Sequence, residues 1–379
     1  MLAAVSLTST SACTSVNEKG QTNIVVAASL ELSGSAADIG VAYQRALELK
    51  AAQINASGLL GERRLTVKVQ DNRGDPATAL TQITAFTADP DVTAIITGTC
   101  GDCTSGAAKV INEHKVPTIA LSPVADVIAP AAERKYIFRL APSADDDAVV
   151  LAGELSRAGQ RKVALLGSDD AYGRHGVDAL TREAGKITGA KVVARGQFAP
   201  AESDLSKAAK AALTGSPDAV VIWGYPQQAA LAVGAVRSNG YHGQVYLDAV
   251  GAGDLFLGPP FAGTDATSLV FTPTLAIDDV IATTPAKAAR RQWFQDYTSR
   301  YGTYHGHASF AADALQLIAN AVAQSGTAAD GAALRARLET AQVDGLSGPI
   351  RFTPDNHSGL TPQSLAMLEA RGGRWRLLG

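Results

Sequence analysis

Several things are scarce in this sequence, and each scarcity closes off a class of protein. Cysteine occurs only three times in 379 residues. Two of the three form Cys100-Gly101-Asp102-Cys103, and no second C-x-x-C exists to complete a zinc site of four cysteines. No apolar run is long enough to span a bilayer. There is no excess of positive charge: the formal net charge is −3, where nucleic-acid binding would call for a basic stripe. A G-x-S-x-G nucleophile elbow is missing. Gly251-Ala252-Gly253-Asp254 follows an apolar run but lacks the third glycine of a dinucleotide fingerprint. No low-complexity linker breaks the chain.

What is present is an ordinary globular balance, 46% hydrophobic and 18% charged residues. The length is too great for one ordinary core, so two domains are expected. The N-terminus, MLAAVSLTSTSACTSVNEKGQTN, begins apolar, turns to small residues, reaches Cys13 and then becomes polar. This resembles a lipoprotein processing site, with Cys13 lipidated and residues 1–22 serving as signal and tether. The positive start of a signal peptide is missing, and the alternative is a disordered tail with an incidental cysteine. Outside the cytoplasm Cys100 and Cys103 would tend to oxidise. A small disulfide that stiffens a loop is the expectation, free buried thiols the alternative. A redox role would suit a thioredoxin-like fold, which a chain of this length cannot be by itself.

From Ile24 onward strands and helices alternate. Apolar runs at 24–28, 65–69, 92–97 and 117–121 read as strands, with helices over 36–56, from Asp75-Pro76 onward, and over 104–113. Asp75 is placed to cap its helix and Pro76 to open it. A second series follows a strand at 136–139: helices at 145–157, 173–184, 205–213 and 227–237, strands at 163–166, 192–193, 218–223 and 245–247. A strand near 269–271, helices around 286–301 and 309–323, and strands at 348–352 and 373–377 with a turn between them complete the chain. Near-continuous apolar strands alternating with helices indicate parallel sheets covered on both faces, an α/β fold of two doubly wound lobes.

In such a sheet a ligand binds beyond the carboxyl ends of the strands. The polar strand tips there are Ser33-Gly34-Ser35, 99–105, Ser122 to Asp126, Ser168 to Gly173, Gly224-Tyr225-Pro226 and 248–254. Small hydroxyl residues mark the first series, and Tyr172 and Tyr225 mark the second. His305-Gly306-His307 offers two metal-binding side chains without a partner at convincing spacing, and surface or helix-capping histidines are the expectation.

Several of these segments, in order, resemble one family. They are Leu32-Ser33-Gly34, Asp71-Asn72-Arg73-Gly74-Asp75-Pro76 with Ala79, Gly98 followed by Cys103-Thr104-Ser105, Ser122-Pro123, Asp169-Asp170-Ala171-Tyr172-Gly173, Trp223-Gly224-Tyr225, and Gly348-Pro349-Ile350-Arg351-Phe352. From about residue 23 to the C-terminus the chain resembles the periplasmic solute-binding proteins of the Leu/Ile/Val-binding type, which feed ABC importers. The resemblance implies a type I periplasmic binding fold whose chain crosses three times between lobes, 23–140 with 273–348 and 141–272 with 349–379. It implies hinge closure on a ligand, an extracytoplasmic location with at most a lipid anchor in the membrane, importer permease subunits as partners, and a monomer without enzymatic activity or cofactor. By resemblance, Thr104, or Ser105 beside it, would bind a ligand carboxylate at a helix start, with Ser122 nearby. Tyr172 and Tyr225 would cover the ligand from the second lobe, while Asp169 and Asp170 cap the following helix. The family glutamate that meets an amino-acid ammonium is Val250 here, which leaves Asp126 or Asp248 to supply the negative charge. The ligand expected is an amino acid or related small carboxylate, the alternative a solute without an ammonium. A regulator of the same fold would need a DNA-binding module, and only a short polar tail precedes Ile24; a receptor ectodomain would need a membrane span.

Overall fold

The computed structural model describes residues 23–251, 267–279, 283–326 and 330–378. Cys13, the 1–22 tether and Ala252 to Asp254 lie outside the described residues. The first sheet is built from β1 (Ile24–Leu30), β2 (Leu65–Asp71), β3 (Val92–Thr97), β4 (Thr118–Ala120) and β5 (Ile137–Arg139), in the order β2-β1-β3-β4-β5. All its pairs are parallel. β1 is buried at every residue, as a strand with helices on both faces must be. Those helices are α1 (Ala37–Ser57), α2 (Pro76–Ala88) and α3 (Gly101–His114). Asp75 caps α2 by accepting from the Thr78 N–H at 2.8 Å, with Pro76 in the first turn.

After α4 (Ala144–Arg157), the second sheet takes β6 (Lys162–Ser168), β7 (Lys191–Phe198), β8 (Ala219–Trp223), β9 (Gln244–Leu247) and β10 (Thr267–Phe271), separated by α5 (Ala171–Ala184), α6 (Ser206–Ala212) and α7 (Pro226–Ser238). α8 (Pro285–Tyr301), α9 (Ala308–Ser325) and α10 (Gly331–Leu338) follow. α9 lies on α1 and reaches β3, so the chain has returned to the first sheet.

The strands expected near 348–352 and 373–377 are both present, and each pairs with a further strand that the sequence did not mark. β12 (Gly348–Arg351) pairs with β11 (Gln342–Gly345), and β14 (Arg374–Leu377) pairs with β13 (Ala366–Arg371). β13 then adds antiparallel to β10, giving the second sheet the order β14-β13-β10-β9-β8-β6-β7. Residues between β12 and β13 stay on the first sheet for a further stretch. Phe352 packs edge-on against Phe138, His357 stacks on the same ring at 4.2 Å, and the Arg139 guanidinium donates to Ser358 Oγ at 2.8 Å.

The histidines at 305 and 307 are not surface residues. His307 is buried among Phe271, Phe310 and Tyr43 and makes no capping hydrogen bond at the start of α9. Burial, then the neighbouring His305, pushes its imidazole well below the usual 6.5.

Candidate functional site

The carboxyl ends of the parallel strands of both sheets face one cavity of about 250 Å³. Its first-sheet wall comes from the tips of β1, β2 and β3: Glu31, Ser33, Ser35, Arg73, Cys100 and Asp102. Its second-sheet wall comes from the loop after β6 and the tips of β7 and β8: Asp170, Tyr172, Pro200 and Tyr225. A second hollow of about 300 Å³ shares Ser35 and Pro200 with it and runs along Gln227, Gln228 and Leu231 of α7.

Tyr172 sits in the first turn of α5, two residues inside a helix that begins earlier than its sequence suggests. Asp170 explains the early start: it accepts from the Gly173 N–H at 2.7 Å and from Ser168 Oγ at 2.8 Å, which caps the helix. Asp169 takes no part in the cap and pairs instead with Arg174 and Gln197. Gly173 is required where α5 passes β6, because a Cβ there would meet the Ser168 carbonyl oxygen at 2.1 Å. Tyr225 precedes α7, where Pro226 occupies the first turn. The two rings meet at 5.7 Å. The Tyr172 hydroxyl is buried and has no hydrogen-bond partner, in a side chain that lines the cavity.

The opposite wall is organised around Glu31, which no sequence signal marked. It is 2% exposed. One carboxylate oxygen accepts from the Thr99 N–H at 2.8 Å and from Thr99 Oγ1 at 3.1 Å; the other accepts from Asn72 Nδ2 at 3.1 Å and, more weakly, from the Cys100 N–H at 3.4 Å. Burial pushes the Glu31 pKa up, and these donors, the Thr99 N–H foremost, oppose the rise. Gly98 makes room for it: a Cβ at that position would stand 2.1 Å from a Glu31 oxygen. α3 starts at Gly101 rather than Thr104, because Cys100 occupies the cap position and its Sγ accepts from the Cys103 N–H. Cys100 and Cys103 are joined by a disulfide.

Five of the expected ligand contacts lie elsewhere. Thr104 is wholly buried, one turn into α3, and its hydroxyl donates to Thr97 Oγ1 at 2.8 Å. Ser105 is partly buried outside the cavity lining, and its hydroxyl is without a partner. Ser122 is buried and accepts from the Val124 N–H at 3.3 Å. Asp126 is exposed on a short 3-10 turn, Ala125–Val127. Asp248 is wholly buried and accepts from the Gly224 and Val250 N–H groups. Burial pushes its pKa up to about 8, while Asp147 behind it is raised well above 3.8 by burial and by Asp248. The charges that do line the cavity are Glu31, Asp102, Asp170 and Arg73.

A family model described as periplasmic binding protein matches residues 23–374, nearly the whole described chain. The chain belongs to the periplasmic binding protein family. Within that family its fold is similar to an extracellular ligand-binding receptor from Rhodopseudomonas palustris HaA2, at 21% identity over 94% of this chain and 100% of the other, with a TM-score of 0.84. It is similar to a leucine-binding protein from Thermotoga maritima, at 17% identity over 94% and 98% of the two chains with a TM-score of 0.82. A periplasmic binding protein type 1 from Bordetella pertussis Tohama I superposes at a TM-score of 0.81 with 21% identity, over 94% and 99%. These likenesses establish the type I periplasmic binding fold. Membership of that family marks the chain as an extracytoplasmic binding protein. Among the described residues no helix is long and apolar enough to cross a membrane.

Proposed function

We propose that this chain is the solute-binding component of an ABC importer, a binder and not an enzyme, and that it holds an amino acid or related small zwitterion in the cavity between the two sheets. The observation that carries the reading is the tyrosine pair: Tyr172 and Tyr225 cover the cavity from the second sheet, and the buried Tyr172 hydroxyl lacks a protein partner. The solute body lies against the rings, Arg73 meets its carboxylate, and Asp102 and Asp170 flank its ammonium. Thr104 and the N–H groups before α3 are not the carboxylate seat, because Glu31 already fills the Thr99 and Cys100 donors. That internal carboxylate favours a second reading, a neutral or amine-bearing solute that presents no anion to the first sheet.

The two lobes are proposed as 23–140 with 273–348, and 141–272 with the C-terminal segment, of which 349–358 rides on β5. Ligand closes them as rigid bodies. The protein acts as a monomer that docks on importer permease subunits, with Cys13 as its lipid anchor; detergent partitioning that survives Cys13→Ala would exclude the anchor.

The deciding experiment is mass spectrometry of small molecules released from the denatured protein, followed by thermal shift with each compound found and with a panel of amino acids. A ligand that binds only the folded state raises the midpoint by mass action. A released amino acid that raises the midpoint supports the first reading and an amine or neutral solute the second. A protein that neither carries nor responds to a small solute contradicts both.

A further inference from the structure

The hollow of about 300 Å³ beside the solute cavity takes no part in the binding described so far, yet the two meet at Ser35 and Pro200. Its chemistry is that of an acceptor site. Gln228 lines it and is only 5% exposed. The Gln228 Nε2 donates to the Pro200 carbonyl. That fixes the amide's orientation, because its oxygen turned there would meet another acceptor. The atom left over is Oε1, which is buried and has no partner. A buried acceptor in that state favours a ligand that brings a donor. Glu202, half-buried, also lines the hollow, its carboxylate held by the Ala199 N–H at 2.9 Å. Among the described residues no Lys, Arg or His lines it. The open end of α7 would by itself suit an anion. Pro226 brings no N–H to that end, however, and a carboxylate there would share the hollow with Glu202 and the Gln228 oxygen.

We propose that this hollow seats the far end of the solute and that this end carries a second nitrogen cation, so that the solute is a diamino or guanidino carboxylate rather than an amino acid with an apolar side chain. The inference rests on the amino-acid reading of the main cavity. Charge balance supports it. Across both hollows the acids are Glu31, Asp102, Asp170 and Glu202 and the base is Arg73. Glu31 is engaged by Thr99 and Asn72. With the solute carboxylate on Arg73 and its α-ammonium beside Asp102 and Asp170, Glu202 remains for another positive charge. Reach supports it too. Tyr225 and Gln228 are three residues apart at the start of α7, and such neighbours on a helix surface stand about 5–6 Å apart, a span that a short methylene chain covers. The methylenes lie along the Tyr225 ring, and the terminal N–H donates to Gln228 Oε1. In size, either hollow alone is at or below the lower edge of ligand pockets, about 300–1,000 Å³, and the two joined lie inside that range.

The test is isothermal titration of the full chain, stripped of carried solute, with four amino acids: lysine, norleucine, 2-aminoadipate and alanine. Norleucine is lysine without its terminal amine, and 2-aminoadipate ends in a carboxylate instead. Lysine should bind at least about tenfold tighter than norleucine, the effect of one charge-assisted hydrogen bond, and 2-aminoadipate more weakly than either. Gln228→Met and Glu202→Gln should each reduce the lysine-to-norleucine ratio several-fold. Norleucine or 2-aminoadipate binding as tightly as lysine overturns the proposal, as does a ratio that neither variant moves. Should Gln228→Met fail to fold, Glu202→Gln decides together with Ala201→Trp, which fills the hollow from an exposed position. That ring should weaken lysine more than alanine, and equal losses for both count against the seat. Binding of alanine and norleucine without preference for lysine refutes the extension and leaves the amino-acid reading standing. Failure to bind any of the four refutes both.

Discussion

Tyr172 and Tyr225 stand on two neighbouring strand tips of the second sheet with their ring centroids 5.7 Å apart and their planes tilted by 41°. Both line the cavity, facing the buried Glu31 across it. A solute in the cavity is therefore sandwiched between an aromatic wall and an acidic one.

Truncating either ring removes contact area from the cavity wall. Tyr172→Ala and Tyr225→Ala should each weaken solute binding by roughly 1.5–3 kcal/mol, about 10- to 100-fold in Kd, while far-UV circular dichroism stays unchanged. Isothermal titration with the released solute measures this. Unaltered affinity in both variants would remove the cavity from consideration as the binding site.

Gly98 and Glu31 should be energetically coupled. Gly98→Ala places a Cβ about where a Glu31 oxygen lies, and overpacking of this kind costs roughly 1–3 kcal/mol. In a chain already carrying Glu31→Ala the same substitution should cost much less. Urea unfolding of the four proteins gives the interaction energy; simple additivity would show that the two side chains do not compete for the same space.

The Asp248 carboxyl gives stability a downward slope between pH 3.8 and about pH 8. Folded, it titrates at about 8 against an ordinary 3.8, so between those values the folded chain keeps a proton that the unfolded chain releases. The contribution of the neutral acid is complete below 3.8 and is lost as the pH rises through about 8. Asp248→Asn, which cannot ionise beside Asp147, should flatten the decline between pH 5 and pH 9, on the order of a few kcal/mol in size. Denaturation midpoints followed across that range check it, and parallel curves for wild type and variant would rule the carboxyl out as the source.

On the acid side the sign reverses at His307. Its imidazole is neutral in the fold because burial holds its pKa well below 6.5. The unfolded chain gains a proton there as the pH falls through 6.5, so the stability that is whole above 6.5 is lost below it. His307→Gln should lose less stability than wild type between pH 7 and pH 5, whatever its stability at pH 7. A steeper acid loss in the variant would contradict the burial of a neutral ring.

The main elements were legible because the apolar runs were short, unbroken and separated by helical periodicity. Those that were not had weak patterns: α10 buries only Leu334 and Leu338, and β13 alternates imperfectly, with Leu368 as its only fully buried residue. At the site, Tyr172 and Tyr225 stood out as aromatics in otherwise polar turns. Thr104 misled because the resemblance set it at the start of a helix, facing a ligand carboxylate, whereas Cys100 caps α3 four residues earlier and the Thr104 hydroxyl turns inward to Thr97. Glu31 was hidden for a different reason. A lone acid after an apolar strand looks like the start of a turn, and what makes it a buried fixture is Thr99, which is 68 positions away in the chain.

The order in which the sheets close has a consequence for synthesis. β10 is flanked on one side by β9 but on the other by β13, which lies close to the end of the chain. α1 likewise waits for α9 to cover it. A chain emerging from its N-terminus therefore carries an uncovered helix on the first sheet until α9 is delivered, and an open strand edge on the second until β13 follows. Unpaired edges of that kind invite pairing with other chains. A version ending before Ala366 would keep β10 as such an edge for good, and loss of the tail would surface as association between copies rather than as a missing contact.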